Sequence, residues 1–177
     1  MPFEFKKADI DSITIIKTKR SEDARGFFIK GFEKEPFFNF LTEPFVEDYV
    51  SESKKNVIRG LHYQVEPKAQ GKLITVLTGR ILDVALDLRN DSKTLYKYSM
   101  NELSSLGWDS VWIPKGFAHG FLSMEDNTVV LNRCTGEFDS NLERGIRWND
   151  PFFKINWPIE NPIISKKDSG WRLWSQE

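Results

Sequence analysis

Apolar positions in this chain fall in short runs that alternate with polar ones, which is the pattern of strands rather than of long helices. Residues 13–18 and 26–32 are rich in β-branched or aromatic side chains and are bounded by polar turns. Residues 45–51 form a third such run, and residues 72–77 lead through Thr78-Gly79-Arg80 into residues 81–88. In that last run Leu82, Val84, Leu86 and Leu88 alternate with Asp83, Ala85 and Asp87, the period of a half-buried strand. Short glycine-centred connections between such runs mark hairpins. Residues 96–100, 110–113, 120–124 and 128–134 continue the series at the spacing of a sandwich or barrel. Helical signals are short, at residues 34–41, 103–106 and 141–144. From residue 149 the chain carries Pro151, Pro158 and Pro162 with Trp157, Trp171 and Trp174, and is expected to wrap the barrel as an irregular arm. The pattern predicts an all-β fold, a closed barrel or jelly roll that hides its sheet edges.

Composition narrows this picture. A chain of 177 residues reads as a single domain, residues 1–177, long enough to bury a real core. Twenty-five Lys and Arg against 26 Asp and Glu leave a net charge of −1, so neither nucleic acid nor a membrane surface is an expected partner. Any anionic ligand must then be held by a few converging cations. The single cysteine, Cys134, excludes an intrachain disulfide and a cysteine-based zinc cluster. The opening Met-Pro-Phe-Glu-Phe-Lys-Lys has no apolar signal core, and no apolar run approaches the roughly 18–20 residues of a membrane span. A soluble, cytoplasmic protein is expected.

The chain has only two histidines, each in a compact motif: Arg59-Gly60-Leu61-His62-Tyr63-Gln64 and Ile113-Pro114-Lys115-Gly116-Phe117-Ala118-His119-Gly120-Phe121. The second resembles the Ile-Pro-x-Gly-x-x-His turn of the cupins. A metal-binding cupin needs several histidines and a carboxylate, whereas here each motif holds one histidine and Lys72 would place a positive charge nearby. No metal and no cofactor are expected, which disfavours a metal-dependent oxygenase. Proton transfer beside a ketone fits better. It needs a base and a cationic or hydrogen-bonding group where the enolate oxygen develops. His62 can be the base and Lys72 the stabiliser, ten residues apart and within reach on adjacent antiparallel strands. A carboxylate should orient the imidazole, and Asp168 is a candidate that spacing alone does not single out. Arg25 and Arg59 each precede a glycine and suit phosphate recognition, while Phe27 and Phe28 read as core.

These motifs, together with Asp23-Ala24-Arg25-Gly26-Phe27-Phe28, Ala69-Gln70-Gly71-Lys72-Leu73, Asp83-Val84-Ala85-Leu86-Asp87-Leu88-Arg89 and Glu143-Arg144-Gly145-Ile146-Arg147-Trp148, resemble the dTDP-4-dehydrorhamnose 3,5-epimerase family. The resemblance runs in order over nearly the whole chain. It implies a metal-free cupin-type double-stranded β-helix, a jelly-roll barrel with short peripheral helices, usually as a homodimer. It implies epimerisation of a nucleotide-linked 4-keto-6-deoxy sugar. By motif, His62 resembles the proton-abstracting base, Asp168 its orienting carboxylate, and Lys72 the group facing the 4-keto oxygen. Arg59 resembles a pyrophosphate contact, His119 and Glu143 ligand-binding residues, and Arg25 and Phe28 the nucleotide end.

Two departures from the family pattern shape the expectations further. The family has a tyrosine two residues before the cysteine of its strand, the phenolic acid of the opposite sugar face; here that position is Asn132, which cannot deliver a proton. A nearby aromatic, frequently tyrosine, is Phe138. Inversion at C3 only is therefore expected. The family also carries Gln-Asp-Asn-His before its serine, with Gln and Asn reading thymine, where this chain has Glu47-Asp48-Tyr49-Val50. Glu47 would accept from guanine N–H donors, and Lys30, standing where a glutamate is usual, would face a guanine carbonyl. A GDP-linked hexose or heptose, in capsule or lipopolysaccharide sugar synthesis, is thus expected ahead of the ordinary dTDP 3,5-epimerase. A catalytically silent sugar-nucleotide binding module is a third reading, weakened by retention of His62, Lys72 and Asp168.

Overall fold

The computed structural model describes residues 2–41 and 43–174. Among these the chain forms β1 (Phe3–Lys7), β2 (Thr14–Thr18), β3 (Arg20–Asp23), β4 (Gly26–Ile29), β5 (Glu47–Ser53), β6 (Ile58–Gln64) and β7 (Lys72–Thr78). It continues with β8 (Arg80–Asp87), β9 (Tyr98–Ser104), β10 (Ser110–Ile113), β11 (Phe117–Ser123), β12 (Thr128–Cys134) and β13 (Glu143–Gly145). Two four-residue helices, α1 (Lys34–Phe37) and α2 (Lys166–Ser169), complete it. One sheet has the order β1-β2-β10-β7-β12-β5 and the other β13-β6-β11-β8-β9, while β3 and β4 form a separate ribbon. Every strand pair is antiparallel. The two large sheets face one another as a jelly roll, as the apolar pattern predicts.

Three apolar layers hold the sheets in place. Between them lie Ile74, Val76, Ile81, Leu103, Val111, Ile113, Phe117, Phe121 and Val130, drawn from both sheets. Fully burying each such side chain contributes roughly 1.5–3 kcal/mol. Outside the six-stranded sheet, Phe37 and Leu41 pack on Phe3, Ile16, Leu73 and Trp112. Outside the five-stranded sheet, Phe153 and Trp157 of the C-terminal arm cover Ile58, Leu61, Val84, Leu86 and Leu122. The arm therefore wraps the barrel as expected, and the indole N–H of Trp157 is anchored on Trp148 O at 2.8 Å.

The arm also reverses the reading of β8. Alternation predicts that Leu82, Val84 and Leu86 face the core and that Asp83 and Asp87 face water. Instead Val84 and Leu86 lie under the arm, while Asp83, Ala85 and Asp87 are wholly buried on the other face. Period identifies the strand, but not which side carries the larger interior. Two expected helices are also absent. Leu103 is a buried residue of β9, followed only by a 3₁₀ turn, Ser105–Gly107, capped by Ser104. Residues 143–145 pair with β6 as a short edge strand, because that edge offers them a ladder. The helix expected at 34–41 is α1 alone, continued by turn hydrogen bonds to Leu41.

One irregularity in β6 shapes everything at the mouth of the barrel. Against β11, His62 pairs with His119 but Arg59 pairs with Phe121, a register shift of one residue. In a regular strand residues three apart point to opposite faces; a bulge turns both the same way. Gly60 occupies the bulge with φ +101°, and a Cβ there would stand 2.5 Å from His119 O and 2.8 Å from Gly120 Cα. A Cβ on Gly120 would in turn meet Arg59 O at 2.6 Å. Only glycine fits at both positions. Gly60→Ala is expected to lower unfolding free energy by ~2–4 kcal/mol, through combined steric and positive-φ strain, as read by urea denaturation.

Candidate active site

The bulge and the facing sheet enclose a cleft with two lobes, of about 290 and 550 Å³, which share Tyr49, His62 and Lys72. The smaller lobe adds Glu47, Phe138 and Glu143, and the larger adds Arg59, His119, Asn132 and Asp168. This size and mixed lining suit a small polar ligand. The cleft brings together His62, Lys72, Asp168, Glu47, Arg59, His119, Asn132 and Glu143 of the residues chosen from sequence.

Asp168 reaches His62 across 106 positions of chain because the arm is stitched to the start of β6. Ile58 N–H donates to Ile163 O at 3.1 Å, and Ile163 N–H donates to Asn56 O at 2.8 Å. Ser165 then caps α2, its Oγ accepting from Asp168 N–H at 3.0 Å, a Ser-x-x-Asp arrangement that sets the carboxylate on β6. Asp168 Oδ1 lies 2.6 Å from His62 Nε2, and its Oδ2 accepts from Gly60 N–H at 3.2 Å. Burial raises the pKa of this carboxyl, but the hydrogen bond and charge of His62, with the Gly60 N–H, outweigh it and hold the carboxyl below its ordinary value. An ionised Asp168 takes the Nε2 proton as acceptor and leaves Nδ1 with a free lone pair. The ring of Trp171 stands edge-on to the imidazole at 6.3 Å.

A second imidazole–carboxylate pair lies on the neighbouring strand. His119 Nε2 is 2.6 Å from Asp83 Oδ2, and both residues are buried. Asp83 is a partner that sequence reading missed, because its place in the alternation put it on the solvent side. Lys72 begins β7 on the opposite sheet and is buried. Burial is the main influence on it and lowers its pKa, partly offset by Cys134, Glu143 and Asp83. Glu143 holds Lys167 at 2.6 Å. Arg59 donates to Ser53 Oγ at 2.9 Å and to Glu52 O at 2.7 Å, which fixes the guanidinium along the edge of the larger lobe. Among the described residues no three His, Cys, Asp or Glu side chains converge as a metal-ligand set.

Arg25 and Phe28 lie apart from this cleft, in a hollow on the β3–β4 ribbon, where Arg25 is paired with Asp23 at 2.6 Å. Two expectations need correction here. Phe27 and Phe28 are not core: they are 53% and 71% exposed, with the Arg20 guanidinium 4.1 Å above the Phe27 ring. Finally, Lys30 and Glu47 do not converge. Lys30 pairs with Glu33 at 3.2 Å, while Glu47 lines the smaller lobe beside His62 and accepts the Phe138 N–H at 2.6 Å. The guanine-reading pair is therefore not formed within this chain. Tyr49, passed over in the sequence, is the phenol that both lobes share.

Residues 7–176 match the family model described as dTDP-4-dehydrorhamnose 3,5-epimerase. A relative of that name from Shigella flexneri is 40% identical over 164 residues, spanning 92% of this chain and 91% of its own. Another from Methanothermobacter thermautotrophicus is 41% identical over 174 residues, spanning 96% and 94%. The structure superposes with a TM-score of 0.91 on a dTDP-6-deoxy-D-glucose-3,5-epimerase from Legionella pneumophila, solved in complex with dTDP-4-keto-L-rhamnose. That protein is 37% identical, with 97% of this chain and 92% of the other covered.

The imidazole–carboxylate contact at the centre of the cleft makes a measurable prediction. Asp168 contributes stability that is fully present above the ordinary carboxylate pKa and is lost as pH falls through its lowered folded value. Asp168→Asn is expected to cost ~1–3 kcal/mol at pH 7, with the gap to wild type closing below about pH 4, in urea denaturation across pH.

Proposed function

The chain belongs to the dTDP-4-dehydrorhamnose 3,5-epimerase family and is an isomerase of the carbohydrate-epimerase class; from that premise we propose that it inverts both C3 and C5 of a dTDP-linked 4-keto-6-deoxy hexose. The observation that carries the reading is a carboxylate-held imidazole on one sheet facing a buried ammonium on the other across a single cleft. His62 Nδ1 takes the hydrogen α to the ketone as a proton, and the electron pair moves onto the C4 oxygen. Lys72 meets that oxygen. Its ammonium lies in a site poor in water, where a charge acts more strongly than in bulk solvent. Asp168 holds the imidazole in the required tautomer and stabilises the imidazolium that forms. General acid–base transfer of this kind supplies ~10²–10⁴-fold, so charge stabilisation at the enolate must supply a large share of the rest. Arg59, His119 and Glu143 line the same cleft and serve to hold the sugar and its diphosphate.

The preference for a GDP-sugar and inversion at C3 alone, expected from the sequence, are replaced by this reading. Relatives carry dTDP-sugar names over most of their length, and the Lys30–Glu47 pair on which the guanine argument stood is occupied elsewhere.

Incubation of the protein with dTDP-4-keto-6-deoxyglucose in D₂O, followed by proton NMR, is expected to give deuterium and inversion at both C3 and C5. His62→Gln should slow both by at least ~10³-fold, given general-base and positioning losses together. Full-rate turnover by that variant would refute the assignment of the base. In calorimetry dTDP should bind at least tenfold tighter than GDP, about 1.4 kcal/mol; the reverse order would restore the guanine reading.

A further inference from the structure

Inverting a carbon takes two proton-handling groups, one on each face of the ring. A base that removes a proton and returns it to the same face gives exchange without inversion. His62 stands on β6 of the five-stranded sheet, so the proton donor must come from the facing sheet. Along the cleft that sheet presents Lys72 on β7, Asn132 on β12, and Glu47, Tyr49 and Ser51 on β5; the Glu47 carboxyl oxygen is already engaged as acceptor of the Phe138 N–H at 2.6 Å. Lys72 is committed to the enolate oxygen. The Asn132 amide has no usable titration, and an aliphatic hydroxyl is far too weak an acid.

We infer that Tyr49 is the acid of this site, donating its phenolic proton to the ring face opposite His62. The inference rests on the epimerase reading above. Tyr49 and Asn132 are direct register partners on β5 and β12, so their backbones stand one strand spacing, ~4.8 Å, apart. The family pattern quoted from the sequence has asparagine on the first of these strands and tyrosine on the second; here the two residues have changed places. The reacting pocket keeps one phenol and one amide on the same sheet, facing the same imidazole.

Tyr49 lines both lobes of the cleft together with His62 and Lys72. Cys134, two residues along β12 from Asn132, is the register partner of Lys72. Burial raises the pKa of Tyr49, with Cys134, Glu47 and Glu143 acting in the same direction, so the group is protonated at neutral pH and gives up its proton less readily than a free phenol until the carbanion draws it off. The atoms balance as follows. The C–H bond breaks, His62 Nδ1 gains the proton, and the pair rests on the C4 oxygen. The pair then returns to carbon, which forms a new C–H bond with the Tyr49 proton while the C4 carbonyl is restored. Phenolate and imidazolium recover their starting states by exchange with solvent.

The test separates exchange from inversion. With the dTDP-4-keto sugar in D₂O, Tyr49→Phe is expected to keep His62-dependent deuterium incorporation within about tenfold of wild type. Inversion should fall by at least 100-fold. Adding Asn132→Tyr to that variant should recover inversion to within tenfold of wild type. Inversion by Tyr49→Phe at the wild-type rate, or loss of exchange and inversion in equal proportion, would overturn the assignment and leave the epimerase reading standing. If the wild type neither exchanges nor inverts, the epimerase reading fails and this inference falls with it.

Discussion

The close approach of two backbones at Gly60 and Gly120 is the constraint on which the cleft depends. Strands β6 and β11 come together only because neither residue carries a Cβ at the crossing, and the extra residue of the bulge is absorbed by the positive φ of Gly60. Without that shift Arg59 and His62 could not both face the cavity, since three positions separate them. The same bulge exposes the Gly60 N–H, which the Asp168 carboxylate takes as a hydrogen-bond donor. A single backbone irregularity therefore sets the side on which Arg59 lies, the orientation of His62, and the docking of the arm that carries Asp168.

Charge placement follows from the two-sheet architecture. The interior is apolar around Ile74, Val76 and Ile81, and becomes polar where Lys72, His119, Asp83 and Asn132 line the mouth. Buried charge is costly unless paired, and two different solutions appear. His62 and His119 each sit on a carboxylate at 2.6 Å. Lys72 instead draws on Cys134, Glu143 and Asp83 through space, and its pKa falls. An ammonium left in that condition gains most when negative charge develops beside it, which is the condition an enolate creates.

The strands were legible because β-branched and aromatic runs with polar boundaries have few other outcomes; residues 110–113 and 128–134 are strands at those limits. The errors came where a second layer decided the environment. The alternation in β8 pointed outward rather than inward because Phe153 and Trp157 cover that face. Residues 141–144 looked helical by composition but met an open strand edge. The Lys30–Glu47 idea failed because a one-dimensional pattern cannot tell that Glu33 and the Phe138 N–H are nearer partners.

Asn132 carries the same lesson in a functional form. Read along the chain, its amide looks like a lost acid; read across the ladder, it faces Tyr49. The sequence by itself determined the all-β class and the family, and it offered His62, Lys72 and Arg59 as candidates, because these follow from residue type and local spacing. Only the tertiary structure decided which carboxylate serves which imidazole, which face of β8 is interior, and which strand supplies a phenol to the cleft. Those are contacts between positions far apart along the chain, fixed by register and packing, and no local pattern of residues encodes them.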